Sequence, residues 1–389
     1  METKKVGFGK IILYILTSIL TFVAVVFLTV FIMISMICNG SSPAARKVFV
    51  STILETGQLK FLASWYLNAD EINSVVQGNS MEEFNQEVDA GLINIKVTPA
   101  AGTTDSEGKD IIREEITEMN GGAVVDGTNT SLPVEEQIGV DLGNGIRKVE
   151  IAGRTFFATM LIIEDPSRVQ LACVYPWQDQ GEDLDVIVKK AGAVAGINGG
   201  LYVSSNNSGG KPIGVVVCNG EILMNSPQAT RGLVLIGMTN DNILTIDDIS
   251  QMTPADVTEL VKTKGIRDAC CFQEEANDKN NHFVQLMING KERELNGMGS
   301  GLNPRTAIGQ RADGSIILLV TDGRGTAGHL GASASDLISI MNEYGAVNAA
   351  NLDGGSSSSM YCNNEYLMTS VTFYYANGSW RLPLAFVVK

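Results

Sequence analysis

The feature that most constrains this chain is an uncharged, mainly apolar run of 27 residues, 11–37. At about 1.5 Å per residue, a helix over this run reaches roughly 40 Å, more than the hydrocarbon core of a membrane requires. The apolar region of a cleavable signal peptide is usually only about 7–15 residues long. The run therefore predicts an uncleaved transmembrane helix, with cleavage near Ser42, Pro43 and Ala44 as the alternative.

Charges on the two sides of this run predict its orientation. Lys4, Lys5 and Lys10 precede it, whereas Arg46 and Lys47 follow it. Because cytoplasmic flanks of transmembrane helices carry more positive charge, we expect a single-pass protein of the cell membrane with a cytoplasmic N-terminus. The rest of the chain is then extracellular. We expect a cytoplasmic tip and anchor at 1–45, a helical stalk and flexible acidic linker at 46–140, and a main domain at 141–389.

The segment after the anchor has helical periodicity. Apolar residues such as Phe49, Leu54 and Trp65 recur at helical spacing over residues 46–77, with Gly57 as a weak point. This helical segment is a stalk, a membrane-proximal helix or a dimer contact, or it simply packs on the main domain. Residues 99–137 are small, polar and acidic, a composition typical of a linker.

From residue 145 onward, short strands alternate with turns, and helices are few. The Asn-Gly pairs that begin at Asn219 and Asn289 predict hairpins. Thr253, followed by Pro254, is a suitable cap for a helix. The pattern predicts an α+β fold: a mixed or antiparallel sheet core with flanking helices, preceded by the transmembrane helix and the helical stalk.

Composition excludes some classes of function. The net charge of −15, with no basic stripe, argues against nucleic-acid binding. A locally positive site for an anionic substrate stays open, and Arg231, Arg305 and Arg324 are the candidates for it. Six cysteines without a CxxC pair, and only two histidines, argue against a zinc site. We expect mostly buried, free thiols with at most one disulfide.

Three glycine-rich turns follow apolar runs and place polar side chains beside small residues. They lie at residues 198–200, 322–325 and 351–355, and four serines, 356–359, follow the last of them. Glycine lets backbone N–H groups approach a ligand closely. We therefore expect the three turns to form one site.

Asp322 and Asp353 are the candidate catalytic residues of this site, because each lies where a strand meets a turn. Paired carboxylates supply the acid, base or nucleophile that cleaves a glycosidic bond. Arg305 and Arg324 are candidates to clamp a phosphate, whose oxygens the Gly-Gly turns would cradle. Simpler interpretations remain: an Asp-Gly pair is often only a turn, and Arg305 is equally a candidate ion-pair partner of Asp322 or Asp353.

Other polar residues near the turns have weaker patterns. His329 is the only histidine near these motifs, and its glycine neighbours suit a mobile loop. Contact between His329 and the substrate stays open at this point. Asp336 is expected to cap the helix that follows it. The run of serines at 356–359 lacks a Gly-x-Ser-x-Gly elbow, so it does not predict a serine nucleophile.

The motifs, taken in order, resemble the phosphodiester glycosidase family. That family includes N-acetylglucosamine-1-phosphodiester α-N-acetylglucosaminidase and bacterial proteins of the exopolysaccharide-biosynthesis type. The motifs that carry the resemblance lie at 197–200, 303–309, 322–324 and 351–357. It covers about residues 145–389 and leaves out the anchor and the stalk. Ser356 stands where members commonly have a third glycine.

The resemblance implies an extracytoplasmic hydrolase. Its substrate would be a sugar-1-phosphodiester of the N-acetylglucosamine type, in cell-surface polysaccharide or wall polymers. Asp353 and Asp322 would be catalytic. The candidate substrate contacts are Asn198, Gly199, Gly200, Arg305, Thr306, Arg324, Asn351, Gly354, Gly355 and Ser356.

Two alternatives stay open. The first is a catalytically inactive protein that binds cell-surface glycans or assists exopolysaccharide assembly, although such a protein need not keep both carboxylates. The second is that the acidic glycine turns bind a structural calcium ion. We expect no required cofactor, a sugar-phosphate or polysaccharide partner, membrane contact through the N-terminal helix, and no nucleic acid.

Overall fold

The computed structural model describes residues 8–56, 59–84, 86–95, 139–274, 282–372 and 378–389. The helices of this part are α1 Phe8–Asn39, α2 Pro43–Leu54, α3 Phe61–Tyr66, α4 Ala69–Gln77, α5 Leu184–Lys190, α6 Pro254–Lys264 and α7 Ala334–Glu343. Its strands are β1 Val140–Asp141, β2 Ile146–Ala152, β3 Phe157–Ile163, β4 Val169–Cys173, β5 Ala195–Asn198, β6 Val215–Cys218, β7 Glu221–Asn225, β8 Leu233–Thr239, β9 Leu244–Asp248, β10 Ile266–Gln273, β11 Gln285–Ile288, β12 Lys291–Glu292, β13 Thr306–Arg311, β14 Ile316–Thr321, β15 Ala346–Asn351, β16 Met360–Cys362, β17 Glu365–Met368 and β18 Leu384–Val388.

α1 is the apolar helix that the sequence predicts. It has 32 residues and is long and apolar enough to cross a membrane, by length and composition. One side of its last turns is covered, since Cys38 is fully buried against α2–α4. The ring of Phe31 lies 5.1 Å from that of Tyr66 in α3. The end of α1 is thus packed against the three helices that follow it.

The helical segment expected over residues 46–77 is three helices rather than one. Two of the three helices start at a capping side chain: Ser42 caps α2 ahead of Pro43, and Asn68 forms a capping box with Glu71 at the start of α4. Such caps satisfy the backbone N–H groups at new helix starts, so short helices replace a continuous one. The expected weak point, Gly57, lies outside the described residues, as do residues 96–138, which include the expected linker.

These short helices pack on the main domain. The Asn79 side chain donates to the carbonyl oxygen of Ser300 (2.8 Å), and Leu302 N donates to Thr52 Oγ1 (3.1 Å). An isolated bridge pairs Met81 with Leu295. Of the interpretations left open by the sequence, the geometry supports the one in which this segment packs on the main domain.

The main domain contains three antiparallel sheets. One has eight strands in the order β1-β2-β3-β14-β13-β15-β11-β12, and the others have the orders β7-β6-β10-β8-β9 and β17-β16-β5-β18-β4. Every described strand pair is antiparallel, so the α+β prediction is confirmed in its antiparallel form.

The eight-stranded sheet is covered on both faces, and β14 shows why. Ile316, Leu318 and Val320 belong to one core cluster, whereas Ile317 and Leu319 belong to another. Side chains of a strand alternate between faces, so an uninterrupted apolar strand needs cover on both sides. The helix α7 supplies part of that cover on the second face, and its cap is the Ser333–Asp336 capping box.

Other local predictions are also confirmed. Asn219 and Gly220 both have positive φ between β6 and β7, and Asn289 and Gly290 do the same between β11 and β12. Two successive positive φ values are the signature of a type I′ hairpin turn. Thr253 caps α6, and all six cysteines are free.

Candidate active site

The site lies where β13 of the eight-stranded sheet begins and its neighbours β14 and β15 end. β13 runs antiparallel to both of its neighbours, β14 and β15, so its start lies beside their ends. Thr321 N donates to the carbonyl of Arg305, and Leu352 N donates to that of Thr306, both at 2.8 Å. The turns that follow β14 and β15 therefore lie side by side, next to the start of β13.

The turn after β5 joins this edge through Asn198, which is fully buried. Its Nδ2 donates to the carbonyl of Asp353 (2.6 Å), and its Oδ1 accepts from Thr306 Oγ1 (2.7 Å) and from Ser359 N (3.2 Å). Asp353 N donates to the carbonyl of Gly199 (3.3 Å). The structure thus brings the three turns together, and Asn198 and Thr306 hold the Asp353 turn in place.

Replacing Asn198 by Ala tests this positioning role. The change leaves Ser359 N and the Asp353 carbonyl without their partner, and leaves the Thr306 hydroxyl with only its longer contact to Ser358 Oγ (3.2 Å). Buried polar groups without partners are costly, so we expect the free energy of unfolding to fall by about 2–5 kcal/mol. Denaturant unfolding measures it, with exposed Gln228→Ala as the control. An N198A protein as stable as the control would contradict the assignment.

The carboxyl of Asp353 lies deep in this turn, although part of its surface remains exposed. Burial raises its pKa to about 7, against smaller lowering effects of Ser357, the Gly354 N–H and Arg324. A carboxyl with a pKa near neutrality, held in a turn beside a guanidinium, is typical of a catalytic group.

Two further residues lie next to Asp353, and neither was among the site residues predicted from the sequence, although Ser357 belongs to the serine run 356–359. The Ser357 hydroxyl bonds to the Asp353 carboxyl and lies 2.8 Å from the hydroxyl of Tyr202. Burial and the nearby Asp353 raise the pKa of Tyr202 well above its ordinary value, so its hydroxyl keeps its proton. Tyr202 lies two residues after Gly200, and this nearness to the turn is the sequence signal that points to it.

Arg324 supplies the accessible positive charge of the site. Its Nη1 donates to Ser356 Oγ (2.9 Å) and its Nε donates to Asn303 Oδ1 (3.4 Å). Arg324 is exposed as a residue, but partial desolvation of its guanidinium and the neighbouring positive charge of Arg305 lower its pKa. The ordinary pKa of arginine is so high that the side chain stays charged at neutral pH.

Gly355 permits this approach. It has φ +63°, and a Cβ there would lie 2.6 Å from Arg324 Nη2. A larger residue would both strain the backbone and displace the guanidinium.

Arg305 occupies a different environment from Arg324. Its guanidinium is buried, donates to Ser300 Oγ (3.1 Å) and the carbonyl of Gly301 (2.9 Å), and lies 5.0 Å from the ring centre of Phe283. Its ion-pair partner is Glu55 at the end of α2, and not one of the two aspartates considered from the sequence.

Asp322 and Asp353 have separate partners. Asp322 Oδ1 accepts from Phe157 N (2.7 Å), and Oδ2 lies 2.6 Å from Nδ1 of His329. The His329 side chain is 30% exposed. The loop that carries it folds back on itself, since Arg324 N donates to the carbonyl of Leu330 (3.1 Å). Asp322 therefore orients a histidine, and His329 joins the site through it.

The remaining candidates are mainly packed inside the protein. Asn351 is buried, its Nδ2 donates to the carbonyl of Phe283 (2.9 Å), and its Oδ1 is a buried acceptor without a hydrogen bond among the described residues. A Cβ on Gly199 would lie 2.3 Å from Leu384, and one on Gly200 would lie 2.3 Å from the Cys271 carbonyl oxygen. These two glycines allow the turn after β5 to pack closely against Leu384 of β18 and Cys271 of β10. Within the described ranges, no group of three or more His, Cys, Asp or Glu residues is arranged to hold a metal ion.

Comparison with known families gives one match. The phosphodiester glycosidase family model matches residues 191–389, slightly more than half of the chain. The match begins later than residue 145, where the resemblance of the motifs begins. It includes every turn of the site and leaves out α1–α5 and β1–β4.

Similar proteins are distant or match over a short stretch. The zebrafish N-acetylglucosamine-1-phosphodiester alpha-N-acetylglucosaminidase catalytic domain, auto-inhibited by its pro-peptide, is 16% identical with a TM-score of 0.45, covering 63% of this chain and 82% of that one. A hypothetical protein from Synechocystis is 20% identical with a TM-score of 0.41, covering 63% and 61%. The SPbeta prophage-derived uncharacterized protein YomE of Bacillus subtilis (strain 168) is 40% identical over 65 residues, which are 17% of this chain and only 10% of that protein.

Proposed function

The chain belongs to the phosphodiester glycosidase family, and from this premise we propose that it hydrolyses the glycosidic bond of sugar-1-phosphodiesters. The observation that carries the proposal is the pairing of Asp353, whose pKa is about 7, with the accessible guanidinium of Arg324 in one turn cluster. A phosphodiester needs a positive charge for its phosphate and a carboxylate for its anomeric carbon, and this cluster offers both.

In the proposed reaction the bond between the anomeric carbon and the phosphate oxygen breaks, and its electron pair leaves with the phosphate. Arg324 and the Ser356 hydroxyl bind the phosphate and stabilise its growing charge. The ionised carboxylate of Asp353 stabilises the positive charge that develops on the sugar. Water supplies the hydroxyl of the released sugar. Phosphate is a good leaving group, so this step does not depend on strong acid assistance.

Asp322 acts in this scheme through His329. Its carboxylate lies within hydrogen-bond distance of Nδ1 of the imidazole, which fixes the orientation of the ring. We propose that His329 accepts the proton that the attacking water releases. Asp322 is then a positioning residue rather than a second carboxylate on the sugar.

The setting that we propose is extracytoplasmic. α1 has 32 residues, about 48 Å of helix, and the positive residues before it favour a cytoplasmic N-terminus. The substrate would then be a sugar-1-phosphodiester of the N-acetylglucosamine type in cell-surface polysaccharide or wall polymers. Arg324 supplies the charge that binds phosphate, so we propose that no cofactor is required. A structural calcium ion remains a separate hypothesis.

The direct test uses the full chain in detergent micelles. It is incubated with UDP-N-acetylglucosamine and with aryl N-acetylglucosamine-1-phosphodiesters, and free sugar is measured. Sugar release that depends on Asp353 and Arg324 supports the proposal. Failure to release sugar from any of these compounds, together with measurable binding to wall glycans, would favour a glycan-binding protein instead.

The pH dependence follows from the raised pKa of Asp353. Because the ionised form is the active one in this scheme, kcat/KM is expected to rise with pH and to level off above an apparent pKa of about 7. Initial rates between pH 5 and 9 measure it. The exposed variant Asp241→Asn should keep the same profile. Activity that falls as pH rises through 7 would mean that the protonated form of Asp353 is needed, contrary to the scheme.

A further inference from the structure

Glu55, at the end of α2, lies outside the family match and yet reaches the segment that leads into β13. Its side chain is only 4% exposed. Oε1 accepts from Gly301 N, and Oε2 accepts from Asn303 Nδ2 (3.0 Å) and pairs with Nη2 of Arg305. One carboxylate thus binds three residues of the stretch 301–305.

The approach of α2 to this stretch is close. A Cβ on Gly301 would lie 2.6 Å from Thr52 N and 2.7 Å from the Ser51 carbonyl oxygen, which leaves no room for another residue. Leu302 N also donates to Thr52 Oγ1 (3.1 Å). Backbone contact at van der Waals distance, rather than a flexible side chain alone, therefore holds Glu55 at this place.

Asn303 connects Glu55 to the site. Its Nδ2 donates to Glu55, and its Oδ1 accepts from Nε of Arg324 (3.4 Å). A carboxylate only accepts hydrogen bonds, so the amide nitrogen of Asn303 has to face Glu55 and its oxygen has to face Arg324. Glu55 thereby determines which atom Asn303 presents to the phosphate-binding arginine.

Charge gives Glu55 a second effect on Arg324. The positive charge of the buried, neighbouring Arg305 lowers the pKa of Arg324, whereas the negative charge of Glu55 raises it. Neutralising Glu55 while keeping its shape would leave the buried Arg305 without its counter-charge.

We propose that Glu55 is a positioning residue of the hydrolase site, which orients Asn303 and neutralises Arg305 so that Arg324 is held ready for the substrate phosphate. The inference rests on the proposed function for its reaction, but not for its contacts. The helical segment next to the membrane is then part of the catalytic unit, although the family match does not include it.

The test compares Glu55→Gln with Glu83→Gln in the full chain in detergent micelles. Glu83 is an exposed carboxylate of the same N-terminal segment, so its variant controls for the chemical change. For Glu55→Gln we expect kcat/KM to fall at least about tenfold, mainly through a higher KM, because the phosphate contact is the one disturbed. The inflection near pH 7 that belongs to Asp353 should stay in place, whereas general loss of the fold would remove it.

A second variant tests the proposal even if Glu55→Gln folds poorly. Asn303→Ala leaves the Glu55–Arg305 pair in place and removes only the bridge to Arg324. It should raise KM in the same direction, and the double variant should lose less than the product of the two single losses. Unchanged KM in both single variants, or higher activity in Glu55→Gln, would overturn the proposal; higher activity would mean that Glu55 obstructs the site.

Failure of the proposed function gives a different result. If the wild-type chain hydrolyses none of the sugar-1-phosphodiesters, the same variants are compared by calorimetric titration with inorganic phosphate. Weaker phosphate binding by Glu55→Gln than by Glu83→Gln supports the positioning role without any reaction. Equal or tighter binding, or none by the wild type, overturns it.

Discussion

Replacing Asp353 by Asn is expected to lower kcat for sugar-1-phosphodiester hydrolysis by at least about 10³-fold. The amide keeps the shape of the carboxyl but lacks the negative charge that stabilises the developing cation. KM should change little, because Arg324 and Ser356 bind the phosphate. The measurement is steady-state release of free sugar, with the exposed variant Asp241→Asn as the control. Full activity of Asp353→Asn would contradict the assignment of Asp353 as a catalytic residue.

The same replacement is expected to stabilise the fold at high pH. The pKa of Asp353 in the folded protein is about 7, above its ordinary value of 3.8. Between these two pH values, the folded protein therefore keeps a proton on Asp353 that the unfolded chain releases. Stability contributed by this group is therefore present at low pH and lost as pH rises through about 7. Allowing for its partial exposure, the cost above pH 7 is about 1 kcal/mol.

Asparagine carries no such cost. We therefore expect Asp353→Asn to unfold about 1–2 °C above the wild type at pH 8 and at nearly the same temperature at pH 4. Thermal unfolding at the two pH values measures the difference. A variant that is inactive and also less stable at pH 8 would indicate damage to the turn instead of removal of a catalytic charge.

Replacing Arg324 by Met is expected to reduce kcat/KM by about 10²–10³-fold, through both KM and kcat. The guanidinium binds the phosphate in the ground state and stabilises the charge that grows as the phosphate leaves. Arg324→Lys should recover only part of this loss, because an ammonium cannot hold Ser356 and Asn303 while also binding two phosphate oxygens.

The matched control for Arg324 is Arg311→Met. Arg311 forms a half-exposed ion pair of 3.8 Å with Asp313, and such pairs contribute little. Its loss should leave hydrolysis unchanged. If Arg324→Met also hydrolysed the phosphodiesters at the wild-type rate, the phosphate would have to bind elsewhere in the turn cluster.

Local sequence patterns predicted much of the framework of the site. Apolar strands that end in glycine turns fix where Asp322 and Asp353 lie along the chain. The antiparallel register of β13 with β14 and β15 then brings their turns to one edge. Helix caps at Thr253 and hairpin turns at Asn219 are equally local, since the residue that forms them lies within a few positions of its partner.

Side-chain environments were less predictable. Arg305 and Arg324 look equivalent in sequence, yet one is buried against Glu55 and the other faces Ser356. The partner of Arg305 lies 250 positions away in the chain, outside the span to which the motifs belong. Asp322 and Asp353 likewise look like a pair, but one holds His329 and the other lies beside Ser357. Only the packed structure distinguishes members of such pairs.

The packing of α1 against α2 and α3 has a consequence for the proposed setting. α1 leads into helices that lie directly on the stretch beside the site, so no slack tether separates α1 from Arg324. If α1 lies in a bilayer, as we propose, the distance from the lipid surface at which the site can act is limited by the dimensions of the protein itself. The proposed substrates would then be phosphodiesters held within a thin layer above the lipid surface.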